Sequence, residues 1–228
     1  MAIMIVAIVA VLALAFLPQM WVRSVIAANA HERSDIHGTG GELARHLLDG
    51  MKLGHVKVEE TALGDHYDPM AKVVRLLPQH MNGRSLAAVV IAAHEVGHAM
   101  QDATGYGPLA ARTRLAQQAR TVELIGSVLM LAAPLTVLVL KSPLVVVVQL
   151  VAGLMVLSFS ILMHAVTLPV EFDASFRRAL PVLEAGGYVP KEDLPKARQI
   201  LRAAALTYVA AAAMSLIDVM RWIRILRF

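Results

Sequence analysis

Hydrophobic positions in this chain gather into long blocks around one polar stretch, with little of the short alternation expected of a sheet protein. The first block covers residues 1–17 without a charge, the second covers 124–140 and the third 144–170, with Lys141-Ser142-Pro143 between the last two. Each is near the ~20 residues needed to cross hydrocarbon. The pattern predicts an N-terminal anchor over 1–22 and a transmembrane hairpin over 124–170. A fourth apolar stretch lies within 203–228. It is Ala-rich and contains Tyr208, Ser215 and Asp218, so it fits either a span or a helix in the interface. Ala13-Leu14-Ala15 resembles a cleavage site, but no Lys or Arg precedes the first block. The expectation is therefore an uncleaved anchor.

The polar stretch, 23–123, is long enough for a small domain. Thr39-Gly40-Gly41-Glu42 has capping-box spacing and leads into an amphipathic run, predicting a helix that ends at Gly50 or Gly54. His55 to Glu59 alternates apolar and polar residues and predicts a strand. Gly64 to Pro69 is turn-rich, Lys72 to Leu76 predicts a second strand, and Pro78 ends it. Ser85 is placed to cap a helix running from Leu86 to about Gln101.

Composition agrees with the block pattern. Of 228 residues, 57% are hydrophobic, and mean hydropathy is +0.63. About 45–50% apolar is usual for a soluble domain. The net charge of +4 comes without a basic run interleaved with aromatics, which argues against nucleic acid as a partner. There are no cysteines. Disulfides, iron–sulfur clusters and cysteine metal sites are excluded, so any metal is held by His, Asp or Glu.

One motif carries chemistry. Within the helix after Ser85 lies His94-Glu95-Val96-Gly97-His98, an H-E-x-x-H sequence. Residues four apart share a helix face, so two imidazoles can converge on one ion. That arrangement suits Zn2+, with Glu95 beside it as the acid–base group. Around these three residues stand Ala92, Ala93, Val96, Gly97, Ala99 and Met100. Polar groups in such surroundings would each cost ~1–3 kcal/mol if buried unpaired, and a shared ligand removes that cost.

A catalytic zinc takes three protein ligands and keeps one position open. The extension H-E-x-x-H-x-x-G-x-x-H is missing, because Gln101 and Thr104 stand where its glycine and third histidine would be. The third ligand must come from elsewhere, and Asp102, Glu123, His164, Glu171 and Asp173 are the candidates. Asp102 is too far along the same helix to be a ligand and suits a group that orients a ligand histidine. Glu171 is the best placed, since a chain crossing out through the second block and back through the third returns to the side of His94 just before it.

His66-Tyr67-Asp68-Pro69, Val74-Arg75-Leu76, the block Ala92 to Ala99 with Gln101, Leu168 to Ser175, and Leu206 to Ala211 occur in an order that resembles the YugP-like neutral zinc metallopeptidases of bacterial membranes. The resemblance covers most of the chain from about Asp35 onward. More distantly the chain is similar to the membrane gluzincins, including the CAAX prenyl endopeptidases and the HtpX proteases. Their ligand glutamate stands in an E-[FY]-x-A-D context, which Glu171-Phe172-Asp173-Ala174 matches, with Ser175 in place of the final Asp. The resemblance implies His94, His98 and Glu171 as zinc ligands, Glu95 as general base, and Asp173 as a substitute for the missing acidic partner. It also implies that Lys72 to Leu77 is an edge strand pairing with the substrate backbone. Donors for the developing oxyanion would come from His66, His80, Tyr106, Arg112 or Tyr208.

The expectation is thus a mainly α membrane protein with three or four hydrophobic helices and a small α+β zincin-like catalytic domain. The third-ligand segment would be 171–202. Its partners would be a polypeptide substrate and the lipid bilayer of a bacterial inner membrane. The excess of Lys and Arg flanking the blocks would put the active site in the cytoplasm. The rival functions are a non-proteolytic scaffold or metal sensor that keeps the zinc site, and a transporter. Few ionisable residues lie within the apolar blocks, which argues against the transporter.

Overall fold

The computed structural model describes residues 2–140 and 142–206. Tyr208 and the C-terminal apolar stretch from 207 onward lie outside the described residues, as do the side chains of Glu123 and His164.

Helix α1 (Ala2–Ala28) opens the chain. Its last turns join the core, where Val22 and Val25 are buried, and the Asn29 carbonyl accepts a hydrogen bond from the Ala87 backbone N–H. Helix α2 (Gly40–Gly50) begins with the capping box its sequence predicts. The Thr39 hydroxyl accepts from the Glu42 N–H while the Glu42 side chain accepts from the Thr39 N–H. Its apolar face, Leu43, Ala44, Leu47 and Leu48, is buried and packs chiefly against helix α4 (Leu86–Ala103). Ser85 caps α4 by accepting from Ala88 N–H. All of residues 86–99 and Gln101 are buried, so α4 is the central rod of the molecule, as expected of a helix that is apolar nearly all round.

Three short strands lie beside α4: β1 (Lys57–Glu60), β2 (His66–Asp68) and β3 (Val73–Leu76). Their order is β1-β3-β2. β3 pairs in parallel with β1 (Lys57 opposite Val73) and antiparallel with β2 (Tyr67 opposite Val74). The expectation that Lys72 to Leu77 forms an edge is therefore corrected: β3 is the central strand. The reason is burial, since Val73, Val74 and Leu76 are all buried while β1 is mostly exposed. β2 arises in the stretch whose composition reads only as turn. Asp68 makes that turn, its Oδ1 accepting from Met70 and Ala71 N–H, and Lys72 closes it at φ +53°. Pairing with β3 extends residues that local propensity leaves irregular.

A one-turn helix α3 (Pro78–Met81) leads to α4. Beyond it, α5 (Gly107–Leu140) and α6 (Pro143–Phe172) form an antiparallel hairpin. Gly126 lies against Val156 and Gln149 donates to Thr136 Oγ1 at 2.6 Å. Among the described residues no helix is long and apolar enough to cross a membrane. This overturns the expectation of three or four membrane-crossing helices and the multi-pass topology built on it. The return of the chain to α4 follows from the antiparallel hairpin of α5 and α6.

After α6 the chain continues as a π-helix (Asp173–Ala179), then α7 (Leu180–Ala185), a 3-10 turn (Lys191–Asp193) and a helical stretch over 194–206. The π-helix packs on α4. The N-terminal segment is tied to this end of the chain by Arg33, whose guanidinium holds both Asp35 and the buried Asp193.

Candidate metal centre

The periodicity of α4 puts His94 and His98 one above the other, with ring centroids 4.8 Å apart and planes at 78°. The end of α6 brings Glu171 against both. Its Oε2 lies 3.2 Å from His94 Nε2 and 3.4 Å from His98 Nε2. One ligand atom from each of the three residues falls within 4.8 Å of the others. All three side chains are at most 5% exposed.

The partners of the distal ring nitrogens determine what the Nε2 atoms offer. The Gln101 amide nitrogen donates to the Val170 carbonyl at 2.8 Å and to Asp173 Oδ2 at 2.9 Å. Its Oε1 is thereby turned toward His98 Nδ1, 2.9 Å away, and must accept from it. The Ser175 hydroxyl donates to the Leu201 carbonyl at 3.3 Å and so accepts from His94 Nδ1 at 3.1 Å. Both imidazoles then carry their proton on Nδ1 and aim the Nε2 lone pair at the Glu171 carboxylate. Two lone pairs facing a carboxylate need a cation between them. Donors ~2 Å from one tetrahedral zinc stand ~3.3 Å apart, which is the separation seen between Glu171 Oε2 and each histidine Nε2. An N,N,O donor set without sulfur suits zinc with an open position. The chain's own residues therefore fit the metal.

The far oxygen, Glu171 Oε1, is buried and accepts no hydrogen bond; the Arg112 guanidinium lies 3.4 Å from it. Glu95 is 6% exposed. Burial pushes its carboxyl up to about 7, against the downward pull of His94.

These groups line a cavity of about 170 Å³ together with Asp65, His66, Tyr67, Ile26 and Ile91. His66 donates from Nδ1 to the Gly64 carbonyl at 2.8 Å, leaving Nε2 uncommitted by that bond. Asp65 is pinned from two directions, by Leu77 N–H and by His80 Nδ1, each at 2.8 Å.

Of the residues singled out in the sequence, the structure brings His94, Glu95, His98, Glu171, His66 and Arg112 to this cavity. Tyr106 is elsewhere, beneath the Arg178 guanidinium at 5.6 Å. Asp102, expected to orient a ligand histidine, holds Tyr67 and Lys72 instead, because its position on α4 faces the β2–β3 turn. Asp173 bonds Gln101 and Arg178, so it reaches His98 through an intervening amide. Against the cost of its burial, Arg178 and Gln101 keep its carboxyl below the ordinary range. Ser175 itself stands at His94 where gluzincins have an acid. The sequence supplied a sign of this in the departure at 175, and Gln101 stood out only within the family motif.

Close packing makes the arrangement possible. A methyl group on Gly97 would lie 2.7 Å from the Ala174 carbonyl oxygen, so glycine lets the π-helix approach α4. A π-helix is rare and favours functional sites. Here it carries Asp173 and Ser175 directly after the Glu171 turn.

The comparisons with known proteins agree with this chemistry. The family model described as "Putative neutral zinc metallopeptidase" matches residues 3–227. The chain is 36% identical over 223 residues to the "Putative membrane protease YugP" of Bacillus subtilis (strain 168), covering 95% of this chain and 93% of that protein. No solved structure matches. With a match over nearly its whole length and a donor set fit for the metal, the chain belongs to this family of neutral zinc metallopeptidases.

Proposed function

We propose that this protein is a zinc-dependent endopeptidase in which His94, His98 and Glu171 hold the ion and Glu95 moves the protons. The observation that carries the reading is the convergence of two buried imidazole lone pairs and one carboxylate on a common point. Zinc in that position supplies Lewis acidity toward the scissile carbonyl and toward water. Glu95 takes a proton from the attacking water and delivers it to the leaving amine, so one carboxylate serves as base and then as acid. Arg112 supplies hydrogen-bond donors for the oxygen that gains charge. The peptide enters as an added strand alongside β2, the outermost strand on the cavity side, whose His66 and Tyr67 line the cavity.

The enzyme works against lipid. Leu144, Val148, Val151, Met155 and Leu162 fall on one face of α6 and are 47–70% exposed, and an exposed apolar stripe of that length marks an interaction surface. The printed name of the Bacillus relative, a membrane protease, supports the same location.

The test is zinc content by elemental analysis beside hydrolysis of unstructured protein substrates. The parent and Glu95→Gln should each hold about one zinc per chain, and Glu171→Ala should lose most of it. Only the parent should cut. Absence of zinc from the parent after reconstitution with the metal would overturn the reading.

A further inference from the structure

Gln101 touches neither the cavity nor the point on which the donors converge, yet it is the residue through which the two halves of the site meet. It is 0% exposed and its side chain makes three bonds. Its carbonyl oxygen accepts from His98 Nδ1, three residues along its own helix. Its amide nitrogen donates to the carbonyl of Val170, the residue before Glu171, and to the Asp173 carboxylate. These partners are 69 and 72 residues away in sequence. Behind Asp173 stands Arg178, donating from Nε at 2.7 Å to the same Oδ2.

Resting on the metal-site reading above, we infer that Gln101 is a positioning residue that couples the second histidine ligand to the segment bearing the glutamate ligand. An amide does this because it offers one acceptor and two donors at once. The acceptor holds His98 in the tautomer that frees Nε2. The donors draw the end of α6 and the start of the π-helix onto α4. A carboxylate at 101, the commoner partner of a ligand histidine, could take the first role but would face Asp173 as a like charge. Asp173 therefore acts on His98 through Gln101, and the order Arg178, Asp173, Gln101, His98 alternates donor and acceptor without conflict.

The experiment measures zinc affinity of the full-length protein by competition with a chromophoric chelator, with apo-protein melting recorded in parallel. Gln101→Met keeps the volume and removes all three bonds; it should weaken zinc about 10- to 100-fold. Gln101→Glu should weaken it by a similar factor, because two carboxylates then meet. Adding Asp173→Asn to Gln101→Glu removes the like-charge contact and should recover part of that loss, the Val170 carbonyl still lacking its donor. A role confined to general packing would not respond to the second substitution, so the double variant decides the matter even where Gln101→Met folds poorly. The inference is overturned if a folded Gln101→Met binds zinc within about threefold of the parent, or if the double variant binds no more tightly than Gln101→Glu alone. A parent that binds zinc and shows the Gln101 effects but hydrolyses nothing would sink the peptidase reading alone. A parent that binds no zinc would sink both.

Discussion

Gly97, inside the H-E-x-x-H turn, sits so near Ala174 that a Cβ on it would come within 2.7 Å of the Ala174 carbonyl oxygen. The neighbour is helix backbone, which cannot step aside as a side-chain tip can. Gly97→Ala should therefore push the π-helix away from α4, costing about 1–3 kcal/mol as overpacking and loosening the hold on zinc. Thermal melting of the apo-protein and chelator competition check the two effects separately. An unchanged melting temperature and zinc affinity would mean that the two elements separate freely.

Glu95 lies beside the ligands and is no part of the donor set. Glu95→Gln should keep the zinc and lose activity by about 100- to 10,000-fold, the usual worth of a positioned acid–base group. Parallel metal analysis and a protease assay on one preparation check this. Retained cleavage would remove Glu95 from its role.

Ser175 is the hydrogen-bond partner of His94 Nδ1. Ser175→Ala leaves that N–H without its acceptor in a buried place and should weaken zinc by about tenfold or more. Ser175→Asp puts a carboxylate acceptor at His94 Nδ1 and should hold zinc more tightly than Ser175→Ala. Chelator titration of both variants reads the outcome.

Asp193 is buried and ion-paired to Lys196 and Arg33. The Lys196 and Arg33 bonds lower its carboxyl, and burial opposes them. A carboxyl depressed on folding adds stability that is present above its unfolded value, near 3.9, and is lost as pH falls through the lower folded value. Asp193→Asn should lower stability at neutral pH by about 1–2 kcal/mol through the lost charge-assisted bonds and flatten part of the acid limb. Denaturant melts at pH 7 and pH 3 should differ less in the variant than in the parent. An equal difference would show that this pair does not link the two ends of the fold.

How much of this was visible in the residues varies with the range of the interaction. The Thr39–Glu42 capping box, the Ser85 cap and the facing pair His94 and His98 depend on spacings of three or four residues. Helix geometry sets such spacings, so the sequence alone determined them. Local pattern also found β1 and β3. It did not find β2, which owes its extended form to pairing with β3, nor the central place of β3, which follows from burial on both sides. Long apolar blocks were legible as helices. Whether they cross a bilayer was not, since apolar content alone does not distinguish a helix buried in protein from one facing lipid.

For the site, sequence narrowed the third ligand to several acids and favoured Glu171, and only tertiary structure decided which carboxylate meets Nε2 of both histidines. The same holds for Gln101 and Ser175. Their contacts with Val170 and His94 span 69 and 81 residues of chain. No local rule fixes such distances; they arise when α4 and the π-helix close on each other through Gly97. The sequence determined the two histidines and the glutamate between them, because one helix carries all three. The docking of a second element determined everything that completes the cradle, because its atoms become neighbours only after folding.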